Sequence, residues 1–370
     1  MFLAWREFRK GKRGKLDVQA FELHLEDNIF ALYEELAGGD YCHGGYHQFR
    51  ISDPKSRLIS KALVRDRLLH HAICRILYPV FDRTFIFDSY SCRKNKGTHK
   101  GFFRLAEMAR KVSRNYTGPC WALKLDIRKF FDSVDHSVLM GLLRGRIADE
   151  RLLGLLGNII GSFPMRHSER SEESSGSVLL YSRTRSFANA QDDRRRVQDD
   201  ERRVKDDKGA GGDDEGGKGM PLGNLTSQLF ANIYLDPLDK FAKHHLRAKY
   251  YLRYADDFIF LADNPDELMG YFVEVNQFLK IKLKLNLHPN KISLRKLDWG
   301  IDYVGYVALP HYAVPRSKTV TRIVKKIRRL VVIGDEATLT KAMPSYLGYL
   351  EHTSSYRVRR RLEGVVERIP

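Results

Sequence analysis

The sequence predicts an α+β fold in which an antiparallel sheet is backed by helices. Two apolar runs at 250–252 and 258–261 flank the tetrapeptide Tyr-Ala-Asp-Asp at 254–257, which is the pattern of a hairpin with a polar tip. A third apolar run at 121–125 leads directly into Asp126, as expected for a neighbouring strand. Elsewhere apolar residues recur at helical spacing, and these helices would cover the sheet.

The predicted elements follow one another along the whole chain. Apolar spacing predicts a strand at 46–51 and helices at about 18–37, from 65, from about 101, through 229–234, at 265–282, at 320–327 and over 346–361. Thr226 and Ser227 precede the helix through 229–234 and are expected to cap it. Basic side chains line the other face of the helix at 320–327, which suits either solvent or a nucleic-acid duplex.

Three carboxylates are predicted to meet where these strands end. Asp256 and Asp257 are neighbours at the hairpin tip and repel each other unless a cation lies between them. Mg²⁺ takes oxygen ligands, and Asp126 from the other strand would complete a two-metal site for in-line phosphoryl transfer. An isolated Asp pair is more often a solvated turn, so the inference depends on the third carboxylate.

Charge and composition limit the classes of function. The chain has 370 residues, enough for two or three subdomains, and a formal net charge of +18. Such a charge favours a polyanion partner because phosphate neutralisation dominates nucleic-acid affinity; a basic protein without such a partner is the alternative. The absence of a signal peptide and of a membrane-length apolar run predicts a cytoplasmic protein without membrane contact. The four cysteines lack metal-ligand spacing and are expected to be free thiols.

These motifs resemble those of reverse transcriptases. Asp126 with Phe131 is similar to motif A of that family, residues 254–257 to motif C, and residues 219–228 to motif B. The resemblance implies a right-hand polymerase with an RRM-like antiparallel palm and a helical thumb. The implied domains are fingers at 1–120, a palm at 121–314 that is interrupted at 166–218, and a thumb at 315–370.

The form of motif B, Leu-Gly-x-x-x-Ser-Gln, is similar to the diversity-generating retroelement branch. That branch copies template adenines unfaithfully for mutagenic retrohoming and works with a small basic accessory protein. Leu222 stands where better-known relatives carry Gln, and an apolar side chain cannot offer a hydrogen bond to the base pair. Two alternatives stay open: a retron or group II intron-like enzyme of ordinary fidelity, and an inactive RNA-binding remnant.

The resemblance also implies roles for individual residues. The metal ligands for two Mg²⁺ ions, or Mn²⁺ as a substitute, would be Asp126, Ile127 through its carbonyl, Asp256 and Asp257. Lys291 would donate a proton to the departing pyrophosphate. The deoxynucleoside triphosphate would contact Lys55, Arg57, Phe131, Leu222, Gly223 and Gln228. The RNA template and the DNA or RNA primer would contact Arg93, Lys94, Lys96, Lys100, Tyr254, Gly305 and Tyr306.

Ordinary structural roles compete with several of these assignments. Lys55 and Arg57 are also typical of a solvated turn, and Phe131 beside Phe130 is also typical of a core aromatic. Lys291 is nearly as well explained as a surface lysine in a turn. For these residues the sequence alone does not decide between the two roles.

Residues 166–218 differ from the rest of the chain. They are rich in Ser, Gly, Arg and Asp, and a seven-residue repeat runs through 191–207. The repeat lacks the two apolar positions per heptad that a coiled coil needs, so the composition predicts a disordered loop. The segment holds 12 Lys and Arg against 13 Asp and Glu, so the positive charge of the protein lies elsewhere. It is interpreted as translated repetitive DNA, with a functional lineage-specific loop as the alternative.

Overall fold

The computed structural model describes residues 1–52, 56–163 and 217–366. The predicted disorder of the 166–218 insertion lies outside the described residues, apart from Gly217 and Lys218. Lys55 also lies outside them. Among the helices of the described ranges, none is long and apolar enough to cross a membrane.

The N-terminal part is helical with one hairpin. Its elements are α1 (Phe2–Phe8), α2 (Leu16–Leu23), α3 (Leu25–Gly38), β1 (Tyr46–Ile51), β2 (Arg57–Ala62), α4 (Val64–Asp82) and α5 (Thr98–Val112). The strand predicted at 46–51 is confirmed, and it pairs antiparallel with β2. The single helix predicted at 18–37 is wrong, because His24 leaves helical conformation (φ −121°, ψ 47°) and separates α2 from α3.

A four-stranded antiparallel sheet lies at the centre. Its strands are β3 (Trp121–Asp126), β4 (Tyr251–Tyr254), β5 (Asp257–Ala262) and β6 (Ser293–Lys296), in the order β4-β5-β3-β6. The helices between them are α6 (Phe130–Ser133), α7 (His136–Arg144), α8 (Glu150–Gly161), α9 (Leu225–Lys240), a π-helical turn (Phe241–His245) and α10 (Pro265–Leu283). Short 3-10 turns at Pro289–Lys291 and Leu297–Trp299 flank β6.

Both faces of this sheet are buried, which explains why its strands are almost continuously apolar. Phe258 and Phe260 of β5 belong to one hydrophobic core, which includes residues of α4, α9 and α10. Ile259 and Leu261 point to the other face and belong to a second core with residues of α5. This alternation follows from the two-residue period of a strand.

The C-terminal part joins a second small sheet to a helical region. The strands are β7 (Ile301–Tyr303), β8 (Tyr306–Leu309) and β9 (Tyr312–Pro315), and the helices are α11 (Ser317–Val332), α12 (Glu336–Glu351) and α13 (Tyr356–Val366). The helix expected over 346–361 is divided between α12 and α13. The three helices share a core of their own that includes Ile327 and Leu350. The predicted α+β class, an antiparallel sheet backed by helices with a helical C-terminal part, is confirmed.

The start of α9 differs from the prediction. Thr226 and Ser227 are buried inside its first turn, and the residue before the helix is Asn224, whose side chain caps nothing. The Asn224 amide instead bonds to β2: its Nδ2 donates to the Ser60 carbonyl at 3.0 Å, and its Oδ1 accepts from the Ala62 N–H at 3.3 Å. A contact across more than 160 residues therefore replaces the local cap.

Candidate active site

The three predicted carboxylates lie together at one end of the central sheet. The register of β3 and β5 sets Asp126 directly opposite Asp257, and Asp256 is the next residue in the turn. Asp126 is 5% exposed, and its carboxyl is among the groups that raise the pKa of Asp257. Strand pairing thus brings together acids that are 131 positions apart in the numbered sequence.

The turn that carries Asp256 is tight and strained. Tyr254 pairs with Asp257, which leaves Ala255 and Asp256 as a two-residue connection between β4 and β5. Ala255 has a φ of 55°, in the left-handed region that a residue with a Cβ adopts at a cost of about 1–3 kcal/mol. Its carbonyl accepts a hydrogen bond of 3.0 Å from Arg253 Nη1. The surrounding structure therefore holds this turn in place.

The electrostatics of the site disfavour three bare carboxylates. Burial, the Asp126 carboxyl and the Asp256 charge raise the pKa of Asp257 to about 7, and Lys124, 3.8 Å away, opposes this. Burial and the Asp126 charge also raise the pKa of Asp256, against the opposing charges of Lys291 and Arg57. A cation bound among these oxygens would relieve both effects.

Lys291 lies in this site. It ends the 3-10 turn Pro289–Lys291, and its Nζ is hydrogen-bonded to Asp126 Oδ2. The segment before it is fixed along the end of β3, because the His288 N–H donates to the Asp126 carbonyl at 2.8 Å and Leu287 pairs with Ile127. The side chain remains 39% exposed, so its ammonium faces both the carboxylates and solvent.

The residues present fit a hard divalent cation. Among the described residues no group of three or more His, Cys, Asp or Glu side chains has the geometry of a preformed metal site. The donor set is nonetheless all oxygen, with the Ile127 carbonyl next in sequence to Asp126, and that set suits Mg²⁺ or Mn²⁺. In this structure the Lys291 ammonium is the cation bound to Asp126.

Motif B lies between motif A and the β1–β2 hairpin, which is called the fingertip hairpin. The Met220 N–H donates to the Phe131 carbonyl at 2.7 Å, and the Leu222 carbonyl accepts from the Ser60 N–H at 2.9 Å. Leu222 is half-buried and Gln228, in the first turn of α9, is exposed. Gly223 has a φ of 115°, and a Cβ there would lie 2.7 Å from Ile59.

The remaining residues assigned to the nucleotide divide between the two sides of this loop. Arg57 is exposed at the start of β2, and its charge reaches Asp256. Phe131 is half-buried in α6, 5.3 Å from the ring of Phe130. The described members of the predicted nucleotide set therefore lie on α6, on β2, on the motif B loop and, in the case of Gln228, in the first turn of α9.

Residues 203–308 match the family described as reverse transcriptase (RNA-dependent DNA polymerase). This stretch of the chain is similar to a reverse transcriptase domain. The matched residues include Asp256, Asp257 and Lys291, whereas Asp126 lies before them.

Relatives of this domain extend the similarity over most of the chain. The COX1/OXI3 intron 2 protein of Saccharomyces cerevisiae is 20% identical over 80% of this chain and 35% of its own length. The Group II intron-encoded protein LtrA of Lactococcus lactis is 22% identical over 58% of this chain and 28% of its own length. The chain thus spans about a third of the length of these curated relatives. Its similarity is to reverse transcriptases of the group II intron-encoded type.

Among solved structures, the apo telomerase of Candida tropicalis is similar at a TM-score of 0.45 and 11% sequence identity. This similarity covers 79% of the present chain and 60% of that chain.

Two residues predicted to contact template or primer are engaged inside the protein. Arg93 is 7% exposed, and its guanidinium binds Asp82 at 2.7 Å and the Ile86 carbonyl at 2.6 Å. Tyr306 is 1% exposed, stacks on Tyr349 at 4.7 Å and donates its hydroxyl to the Tyr349 carbonyl. Both side chains are held by partners inside the protein in this structure, and their contact with nucleic acid stays a prediction.

The other members of that predicted set lie nearer the surface. Lys96 lies 3.4 Å from the ring centroid of Phe87, Lys94 lies over Tyr78, and Lys100 donates to the Asn95 carbonyl at 2.8 Å. The Tyr254 hydroxyl is 3.1 Å from Thr98 Oγ1, and the Gly305 carbonyl accepts a hydrogen bond from the Tyr349 hydroxyl. Each of these lysines makes a contact within its own part of the chain, and it would have to give up that contact to bind an RNA phosphate.

Sequence reasoning missed buried residues that support the turn before Asp256 and the motif B loop. Arg253 and Asp239 form an ion pair in which both side chains are 0% exposed, and Asn224 joins motif B to β2. One signal was available: an arginine inside a strand whose other residues are buried has to be paired with an acid. Its partner could not be read from the sequence, because α9 also contains Asp236.

Proposed function

We propose that this protein is an RNA-directed DNA polymerase that uses two Mg²⁺ ions. The observation that carries the proposal is the juxtaposition of Asp126, Asp256 and Asp257 at one end of the sheet of a reverse transcriptase domain. The primer 3′-hydroxyl would attack the α-phosphate of a deoxynucleoside triphosphate and release pyrophosphate.

Each group of the site has a part in this reaction. The three carboxylates and the Ile127 carbonyl would hold the ions, with Mn²⁺ as a substitute. When bound, the ions supply the positive charge that phosphoryl transfer needs at the reacting oxygens. Lys291 carries a proton beside the carboxylates and would deliver it to the leaving pyrophosphate. Arg57 would bind the triphosphate, together with Lys55, and Phe131 would lie under the sugar and disfavour a 2′-hydroxyl.

Primer extension on a defined RNA template tests the proposal. Asp256→Ala should abolish Mg²⁺-dependent synthesis while RNA binding is retained, because only the metal ligand is removed. Asp263→Ala is the matched control, since Asp263 is exposed just past β5 and should leave synthesis unchanged. Synthesis retained by Asp256→Ala would refute the metal assignment. No product from the native protein, even with an accessory protein added, would favour an inactive RNA-binding remnant.

We further propose the diversity-generating branch, on the basis of Leu222 and Gln228. Leu222 lies against the fingertip hairpin and offers no side-chain hydrogen bond to a base pair, which supports relaxed base selection. The enzyme would copy a template-repeat RNA with errors at adenines, for mutagenic retrohoming, with a small basic accessory protein.

Sequenced extension products separate this branch from the alternative. Errors concentrated opposite template adenine, reduced by Leu222→Gln or altered by Gln228→Pro, would support it. Accurate products would instead support a retron or group II intron-like enzyme, the type represented among the similar proteins. Unchanged error spectra in both variants would remove these residues from the explanation.

A further inference from the structure

Arg253 is a charged residue buried in a strand of the central sheet. It lies in β4, one residue before Tyr254, and its side chain is 0% exposed. An unpaired charge at such a position costs several kcal/mol, so the guanidinium has to be neutralised and fully hydrogen-bonded.

Asp239 of α9 supplies the neutralising charge in a two-pronged pair. Arg253 Nε donates to Asp239 Oδ1 at 2.8 Å and Nη2 donates to Oδ2 at 2.7 Å. The Tyr251 hydroxyl donates to the same carboxylate at 2.7 Å. The parallel fork fixes the plane of the guanidinium as well as its position.

The remaining donors of Arg253 reach three different parts of the chain. Nη1 donates to the Ala255 carbonyl at 3.0 Å and to Asn232 Oδ1 at 3.2 Å, and Nη2 donates to Ser89 Oγ at 3.2 Å. Together with the two bonds to Asp239, these occupy all five donors that a guanidinium has. One side chain thus connects the strained turn before Asp256 to α9 and to residue 89.

The backbone of Arg253 extends the same connection. Its N–H donates to the Asp88 carbonyl at 2.9 Å, and its carbonyl accepts from the Tyr90 N–H at 2.9 Å. Segment 88–91 therefore docks on the free edge of β4, and Asn232 donates to the Ser91 carbonyl at 3.0 Å. The Ala255 carbonyl is held by a group that cannot move without disturbing both the helix and this segment.

We propose that Arg253 is a positioning residue for metal binding: its bond to the Ala255 carbonyl holds the turn in the conformation that aims Asp256 at the cation. The inference rests on the proposed polymerase function. The left-handed φ of 55° at Ala255 costs free energy, so the turn keeps this conformation only if the surrounding structure holds it. The Arg253 guanidinium does so by donating a hydrogen bond to the Ala255 carbonyl. Lysine would keep the charge but loses the fork, and its ammonium has three donors where the guanidinium has five.

The test compares Arg253→Lys with Tyr251→Phe in the full chain. Both changes weaken the Asp239 cluster, but only the first removes a contact to the turn. We expect Arg253→Lys to raise the Mg²⁺ concentration for half-maximal primer extension by about tenfold, at a temperature well below its Tm. Tyr251→Phe should lower the Tm and leave that concentration unchanged. Adding Ala255→Gly to Arg253→Lys should recover about fivefold of the loss, because glycine adopts a positive φ without strain.

The outcomes are distinguishable from failure of the proposed function. If the native protein extends no primer, the function fails and Arg253 is not at issue. If it does and Arg253→Lys needs the same Mg²⁺ concentration as the native protein, the positioning role is overturned. A loss of activity that follows the Tm equally in both variants would overturn it too. Should Arg253→Lys not fold, Asn232→Ala decides, since it removes one of the two partners of Nη1, leaves the charge pair with Asp239 intact and should raise the Mg²⁺ requirement in the same direction.

Discussion

Replacement of Gly223 by alanine tests how tightly motif B is held against the fingertip hairpin. Gly223 has a φ of 115°, a conformation that residues with a side chain rarely adopt. An ideal Cβ at this position would lie 2.7 Å from Cγ2 of Ile59. The loop therefore lies so close to β2 that position 223 has no room for a Cβ unless Ile59 moves.

The expected cost has two parts. The backbone conformation contributes about 1–3 kcal/mol for a residue with a Cβ. Overpacking against Ile59 adds about 1–3 kcal/mol, and the lower end applies because Ile59 is half-buried and its side chain is able to shift. We therefore expect Gly223→Ala to lower the free energy of unfolding by about 3 kcal/mol.

Urea denaturation followed by circular dichroism measures this free energy. Gly154→Ala is the matched control: Gly154 lies inside α8 with no heavy atom within 4 Å of its added Cβ, so alanine should stabilise by about 1 kcal/mol. Ile59→Ala combined with Gly223→Ala should recover the overpacking part but not the backbone part. A Gly223→Ala protein as stable as the native one would refute the close approach.

Three further predictions concern other parts of the chain. Replacing 164–216 by a short Gly-Ser linker should leave the Tm unchanged. The chain on either side of this segment is already close, because a Cβ on Gly219 would lie 3.4 Å from the Phe163 ring. Loss of folding would contradict the interpretation of the insertion as translated repetitive DNA. Asn224→Ala should cost about 1–3 kcal/mol in urea unfolding by leaving buried groups of β2 unpaired, and no loss would mean that water replaces the amide. In metal-free buffer, Asp257 binds a proton more readily in the folded state, so its contribution to stability is complete below about pH 4 and is lost as the pH rises through about 7. Asp257→Asn should remove that part of the pH dependence of the Tm, and an unchanged dependence would contradict the raised pKa.

Local patterns were sufficient for the parts of the fold that local physics decides. The hairpin around 254–257 and the strand ending at Asp126 follow from apolar runs bounded by polar residues, and both are present. The break at His24 was not predicted, because the apolar spacing continues through it. Conformation there depends on how α2 and α3 pack, which spacing alone does not encode.

Two side chains that were expected to contact nucleic acid have partners inside the protein. Arg93 and Tyr306 were assigned to nucleic acid by their position in motifs, yet both are satisfied by partners inside the protein. The capping role expected of Thr226 and Ser227 failed because Asn224 bonds to residues more than 160 positions away. Sequence proximity predicts which groups could act, whereas burial and long-range partners decide which of them are free to do so.

The treatment of buried acids elsewhere in the fold shows what is unusual about the carboxylate site. Asp88 is bound by Arg104 at 2.8 Å, and Asp239 is bound by Arg253 at 2.7 Å. At Asp135 burial raises the pKa, but Lys284, the Val138 N–H and the Lys218 charge together outweigh it and the net shift is downward.

Asp256 and Asp257 differ from Asp135, since their pKa values are raised in a protein with a net charge of +18. Burial also raises the pKa of Asp236, but Lys240 binds that carboxylate directly. The fold thus has the means to neutralise buried acids with arginine and lysine and leaves these two short of positive charge. Ionised carboxylates with raised pKa values destabilise the metal-free protein and are stabilised when a divalent cation binds. Addition of Mg²⁺ should therefore raise the Tm of the native protein more than that of Asp256→Ala, and equal shifts would show that the charge deficit has another purpose.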